Sequence, residues 1–150
     1  MKTSPTKPLN PYPKVRGKSR HSRYINILSK IAIAVEPVAQ ARIAAAIVYK
    51  NEIVSIGVNQ RKTHPFQAKY SKNEDSIFLH AETDAIKNAL KHISLDELSS
   101  SVLYICRVKI ENGKFVFGLS KPCCGCMRAI SNFGINKVYY SLEEKGYTVL

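Results

Sequence analysis

The chain has 150 residues, with 23 Lys and Arg against 11 Asp and Glu, a formal net charge of +12, and 45% hydrophobic residues. That length carries one core rather than two, and the composition is too ordinary for a disordered or repetitive chain. The longest apolar run, residues 43–49, is too short to span a bilayer, and the basic start lacks the apolar stretch of a secretory signal, so an intracellular, cytoplasmic protein with no membrane partner is expected.

Residues 1–21 hold Pro5, Pro8, Pro11 and Pro13 among Lys2, Lys7, Lys14, Arg16, Lys18 and Arg20 and read as a basic, mobile arm. Residues 22–150 then form one domain. No acidic residue precedes Glu36, so the arm's field favours phosphate-bearing partners, single-stranded nucleic acid among them. The plainer alternative is a solubilising tail.

From Ser22, the residues Tyr24, Ile27, Leu28, Ile31 and Val35 recur at helical spacing until Pro37. Residues 42–50 and 52–58 read as two strands around a Lys50-Asn51 turn, since Asn tolerates the positive φ of such hairpins. The polar segment 59–76 has no periodicity, and a loop of that length in a compact domain is usually functional. Residues 80–93 fit an amphipathic helix burying Ala81, Ala85 and Ala89. Residues 102–110 form a strand, followed by an Asn112-Gly113 turn and the short apolar piece 115–119. Pro122 is placed to open a further helix, and Gly134 to end it. Residues 137–142 form a strand, and residues 147–150 a final short one. This order implies an α/β three-layer sandwich with a mixed five-stranded sheet flanked by helices.

Two short motifs carry chemistry. His80-Ala81-Glu82 and Pro122-Cys123-Cys124-Gly125-Cys126 are each unremarkable alone, since a lone Cys-x-x-Cys serves equally as a redox pair. Together they make a zinc site with one open position, because a catalytic zinc keeps three protein ligands plus water. His80, Cys123 and Cys126 supply the three. Cys123 and Cys126 stand three apart at a helix start, where free N–H groups and the helix dipole favour thiolate. Glu82, in the same turn as His80, is placed to move a proton rather than to complete the ligand set. A closed knuckle using Cys124 is the structural alternative. Cys106 reads as a small core residue, and His21 and His92 read as surface residues.

The pair of motifs resembles the cytidine deaminase superfamily over roughly Ser22 to the C-terminus. The resemblance implies zinc-dependent attack of water on C4 of cytosine, or on C6 of adenine, with release of ammonia. It implies that Asn59 contacts sugar or base, and that the main chain of Ala81 and Lys121 holds the pyrimidine edge. It also implies a homo-oligomer, since members often complete their sites across subunits. Only ten residues follow Tyr140, too few for a parallel crossover of a dozen or more. The chain therefore looks like the branch with a C-terminal hairpin, although free cytidine deaminases of that branch commonly carry cysteine at the place of His80. His64 and Phe66 lie where substrate enters, and Phe66 and Tyr70 either stack on a base or anchor their loop. The expected function is deamination of cytosine to uracil in a (deoxy)cytidine nucleoside or nucleotide. The alternative is editing of a base in single-stranded DNA or RNA, and a non-catalytic nucleic-acid-binding module is disfavoured by the intact Glu82.

Overall fold

The computed structural model describes residues 11–38, 40–70 and 78–150. Helix α1 (Arg20–Ala32) leads into the hairpin β1 (Arg42–Tyr49) and β2 (Glu52–Val58), then α2 (Pro65–Tyr70), α3 (Ala81–Ala89) and α4 (Leu95–Ser99). Strands β3 (Val102–Glu111) and β4 (Lys114–Gly118), helix α5 (Cys124–Asn132), and strands β5 (Lys137–Ser141) and β6 (Tyr147–Val149) complete the chain. The sheet has six strands in the order β2-β1-β3-β5-β6, with β4 paired to β3 off that path. It is mixed, since β3 and β5 run parallel while β5 and β6 form an antiparallel hairpin.

Side-chain alternation along β1 sorts the core into two sides. Ala44, Ala46 and Val48 pack with Tyr24, Ile25, Leu28 and Ala32 of α1. Ala45 and Ile47 pack with Ala81, Ala85 and Ile86 of α3 and with Ala129 and Ile130 of α5. Three consecutive alanines let helices approach the sheet from both sides, which gives the three layers. Burying Ile25 and Leu28 of α1 completely stabilises the fold by about 1.5–3 kcal/mol each.

The hairpin turns follow the backbone chemistry of their residues. Lys50 and Asn51 both take positive φ, 50° and 65°, as do Asn112 and Gly113, at 52° and 75°. Left-handed residues at both central positions match the right-handed twist of the flanking strands.

The structure corrects the expected sheet by one strand. Most of the apolar piece 115–119 belongs to a ladder strand, β4 (Lys114–Gly118), whose Phe117 is buried opposite Val108. Helix α1 starts before Ser22 because Ser19 caps it, its side chain accepting from the Ser22 N–H. Pro122 precedes the cap of α5 instead of forming its first turn, since Cys123 is the N-cap. The segment 80–93 is helical only to Ala89, and the polar segment 59–76 contains α2. Residues 1–10 of the expected arm lie outside the described residues, as do residues 71–77 of that polar segment. Further along the arm, the Pro13 carbonyl accepts from Ser29 Oγ at 2.7 Å, and Val15 N–H donates to Asn26 Oδ1 at 2.7 Å. Among the described residues, no helix is long and apolar enough to cross a membrane.

Candidate metal centre

The position of α3 is set by a glycine. A Cβ on Gly57 of β2 would lie 2.2 Å from Ala85 N and 2.4 Å from Ala81 O, so only glycine lets the helix backbone come so close. Ser55 Oγ donates to Ala85 O at 2.7 Å, and Asn88 Nδ2 donates to Ile56 O at 2.9 Å, on the same contact. Asp84 Oδ2 accepts from Val58 N–H and Gln60 Nε2, both at 3.1 Å, which ties the end of β2 to the first turn of α3. Gln67 of α2, fully buried, accepts from the His80 N–H at 3.1 Å and from Thr83 Oγ1 through the same oxygen. The start of α3 is thus fixed from two sides before any side chain at its tip is considered.

The start of α5 is held by a buried hydroxyl pair. Ser120 Oγ lies 2.9 Å from Ser141 Oγ and accepts from the Ser141 N–H at 2.8 Å, while Ser141 Oγ donates to Gly118 O at 2.7 Å. This network anchors the linker that runs from β4 through Lys121 and Pro122 into Cys123. Arg128 of α5 donates to the Tyr70 carbonyl of α2, closing the group of helices.

On this frame, His80 is the N-cap of α3, Cys123 is the N-cap of α5, and Cys126 lies in the first turn of α5. One ligand atom from each falls within 4.8 Å of the others. His80 Nδ1 is 3.2 Å from Cys126 Sγ and 3.6 Å from Cys123 Sγ. A tetrahedral zinc with Zn–S of about 2.3 Å and Zn–N of about 2.0–2.1 Å needs N···S separations of about 3.6 Å, so the donor set fits that ion. Cys124 is exposed and outside the cluster, which removes the closed knuckle.

The electrostatics agree with a cation-binding cluster. The Cys123 thiol is driven down to about 3 by hydrogen bonding to Cys126, then by His80 and the Cys126 N–H. Cys126 moves the other way, its proton retained by the bond to Cys123 and by burial. His80 is raised by its bond to Cys123 against the opposing effect of burial. Three donors competing for protons at one point are relieved by a divalent cation, which needs their lone pairs and no proton. Glu82 is 6% exposed. Burial pushes its carboxyl above the usual range against the pull of His80, and its side chain also interacts with Cys126. A carboxyl so held keeps its proton to higher pH than an exposed one.

The other expected residues fall in distinct places. Ala81 is the first residue of α3, buried beside Gly57. Lys121 is exposed, between the buried Ser120 and Pro122. Asn59 braces β1, its Oδ1 accepting from the Ile43 N–H and its Nδ2 donating to the Ala41 carbonyl, both at 2.8 Å. His64 Nδ1 accepts from the Phe66 N–H at 3.0 Å at the start of α2. Phe66 packs on Tyr70 and Phe133, with centroids 5.6 and 5.9 Å away. A cavity of about 620 Å³ opens between the end of α1 and residues 58–62 but does not include the three donors. Backbone bonds between Leu79 and both Gln60 and Lys62, and the bonds of Val58 and Gln60 to Asp84, tie its wall to the start of α3.

Gln67, Asp84, Gly57, Ser120 and Ser141 are the functional positions that sequence reasoning missed. Gly57 carried a usable signal, because glycine inside a strand pattern marks close backbone approach. Gln67 carried none, lying in a segment without periodicity.

A family model described as the cytidine and deoxycytidylate deaminase zinc-binding region matches residues 18–142. Among solved structures, the chain is similar to dCMP deaminase from the cyanophage S-TIM5 in apo form, with 22% identity over 82% of each chain and a TM-score of 0.56. It is similar to the same enzyme in complex with dCMP and dUMP, with 20% identity over 81% of this chain and 79% of the other and a TM-score of 0.53. At those identities the likeness is one of fold. No curated protein sequence matches the chain.

Proposed function

The chain belongs to the family defined by the cytidine and deoxycytidylate deaminase zinc-binding region, and on that premise we propose that it hydrolyses the exocyclic amine of cytosine, giving uracil and ammonia, in a (deoxy)cytidine nucleoside or nucleotide. The observation that carries this reading is the buried Glu82 carboxyl beside a three-donor zinc site. His80, Cys123 and Cys126 hold the ion, and zinc when bound supplies the Lewis acidity that lets water react near neutral pH.

Every other role falls to the chain's own residues. Glu82 takes a proton from the attacking water and returns it to the departing amine, so it ends the cycle as it began. Its burial favours the neutral acid, which is the form needed for the second transfer. The N–H of Ala81, in the first turn of α3 and without an intrahelical partner, and the main chain at Lys121 are the groups assigned to the pyrimidine edge. Asn59, His64 and Phe66 act on substrate through the segments they brace. The homo-oligomer expected of the family is read by light scattering.

The experiment is ammonia release from a panel of cytidine, deoxycytidine, their monophosphates, adenosine, and single-stranded DNA and RNA oligonucleotides, using zinc-loaded protein. Turnover of the small cytosine substrates supports the reading. Turnover confined to oligonucleotides transfers it to base editing, and turnover of adenosine alone overturns the choice of cytosine. Glu82→Ala is expected to retain zinc and lose turnover.

A further inference from the structure

Helix α1 begins at the end of the sheet where β1 finishes and β3 and β5 start, which is the end remote from the metal centre. The eight residues of β1 at about 3.3 Å each put roughly 25 Å between the two ends. A cavity of about 210 Å³ lies there, lined by Arg20, Lys50, Lys137, His21, Ser100 and Tyr139 among others, with no carboxylate in its wall. None of the three cations forms an ion pair with a described residue. Glu97 lies within the field of Lys50, but its carboxylate is committed to the backbone and hydroxyl of Ser94.

The wall is rigid. Tyr104, 2% exposed, stacks on Tyr139 at 5.0 Å and 13°, and His21 stacks on the same Tyr139 at 4.2 Å and 16°. His21 Nδ1 lies 2.5 Å from Tyr104 Oη, so the imidazole read from sequence as a surface residue is part of a built aromatic cluster. Arg20 and Lys137 line the same cavity as His21, and burial together with their positive fields holds that imidazole below its ordinary value. Along α1 and the segment before it, a second concavity of about 510 Å³ is lined by Lys14, Lys18, Arg23 and Lys30, again without a carboxylate. Like charges are held together at a cost unless an anion joins them. Their number and spread suit a multiply charged anion more than a single halide or carboxylate.

We propose that the cavity of Arg20, Lys50 and Lys137 binds a phosphoryl group, supplied either by a free nucleotide or by the backbone of a polynucleotide, at a site separate from the zinc centre. The shared chemistry is that of a dianionic or bridging phosphate taking hydrogen bonds from Arg and Lys. The proposal stands on this end of the molecule alone and does not depend on the deaminase reading.

The test titrates the zinc-loaded full chain with inorganic phosphate, with dTMP and with a short oligothymidylate, and two charge-reversed variant pairs separate binding at this end from binding at the metal centre. Lys50→Glu/Lys137→Glu should weaken binding in every arm by about ten-fold or more, through loss and reversal of two charged donors. Lys114→Glu/Lys145→Glu, which removes the same net charge at exposed positions of the other end, should change it by less than about two-fold at physiological salt. Oligothymidylate binding much tighter than dTMP, with a steep salt dependence, identifies the polynucleotide as the source. Equal affinities identify the free nucleotide. An equal loss in both variant pairs, no loss in the first pair, or no binding to the wild-type chain at low salt overturns the proposal.

Discussion

Two kinds of helix start coexist in this molecule. Helix α1 is capped by the Ser19 hydroxyl, and α4 by a reciprocal box in which Ser94 and Glu97 satisfy each other's backbone. Helix α3 begins at His80, whose side chain makes no capping bond, and α5 begins at Cys123, whose sulfur accepts the Cys126 N–H at 3.5 Å. A good cap contributes about 0.5–2 kcal/mol, so the metal end forgoes stability that the far end retains. The difference shows how the site is built: at α3 and α5 the cap position is given to a metal donor, and the helix start is held by buried bonds from Gln67, Asp84, Ser120 and Ser141 instead.

The largest effect expected is on Glu82. Glu82→Gln should lower kcat by about 10²–10⁴, or about 2.7–5.4 kcal/mol, with zinc content unchanged. Stability should move the other way. In zinc-stripped protein the folded carboxyl titrates above its ordinary 4.5, so as pH rises past 4.5 the unfolded chain releases its proton first. The native state is therefore destabilised through the window between 4.5 and the raised value. Gln removes that penalty. The Tm difference between variant and wild type should be near zero below pH 4.5 and grow as pH rises, and a Tm difference flat with pH would sink this account. Next in size, Cys123→Ser keeps a hydroxyl at the cap but removes a soft ligand. Zinc affinity should fall by more than the roughly 10–100-fold that outer-shell changes cost, while far-UV helicity after chelation is unchanged. A loss of helix with the metal already removed would show that the sulfur is needed for the cap itself.

Gly57→Ala tests the frame rather than the donors. Its methyl would sit 2.2 Å from Ala85 N, and helix backbone cannot yield as a flexible side chain does. The expected cost is about 1–3 kcal/mol, with zinc affinity falling as α3 is pushed from β2 and His80 moves with it. Full zinc affinity in a destabilised Gly57→Ala protein would separate the position of α3 from the metal site.

The legible parts of this chain were those whose chemistry is local. Lys50-Asn51 and Asn112-Gly113 announce their turns because positive φ selects those residue types, and the two strand patterns at 137–142 and 147–150 reappear as the antiparallel pair β5 and β6. His80, Cys123 and Cys126 are readable because zinc accepts few donor types at few spacings. Helix α2 was not readable: its six residues are held by Phe66 against Phe133 and by Arg128 on the Tyr70 carbonyl, contacts remote in sequence. Strand β4 takes its order from pairing with β3, which a five-residue apolar run does not reveal. Helix α4 did carry a signal, since Ser94 and Glu97 spell a capping box. Gln67 had none, for its role comes from where tertiary packing places it beneath His80.

The smallest effect returns to the helix starts. Ser19→Ala removes the acceptor of the Ser22 N–H, a bond of 3.1 Å, along with contacts to Ser22 Oγ and Tyr147 Oη at 3.0 and 3.3 Å. It should cost about 1 kcal/mol, or roughly 2–4 °C in Tm for a chain of this size, with zinc affinity unaffected. Cys123→Ala in zinc-stripped protein should cost less, because sulfur at 3.5 Å is a weaker acceptor than a hydroxyl at 3.1 Å. With zinc present the order should reverse, since Cys123→Ala then also forfeits the linkage between metal binding and folding. Thermal melts of both variants, with and without chelator, measure the four values. Equal costs for the two variants in chelator would mean that Cys123 is as much a structural cap as Ser19, and that the metal end of the molecule gives up nothing to hold its ion.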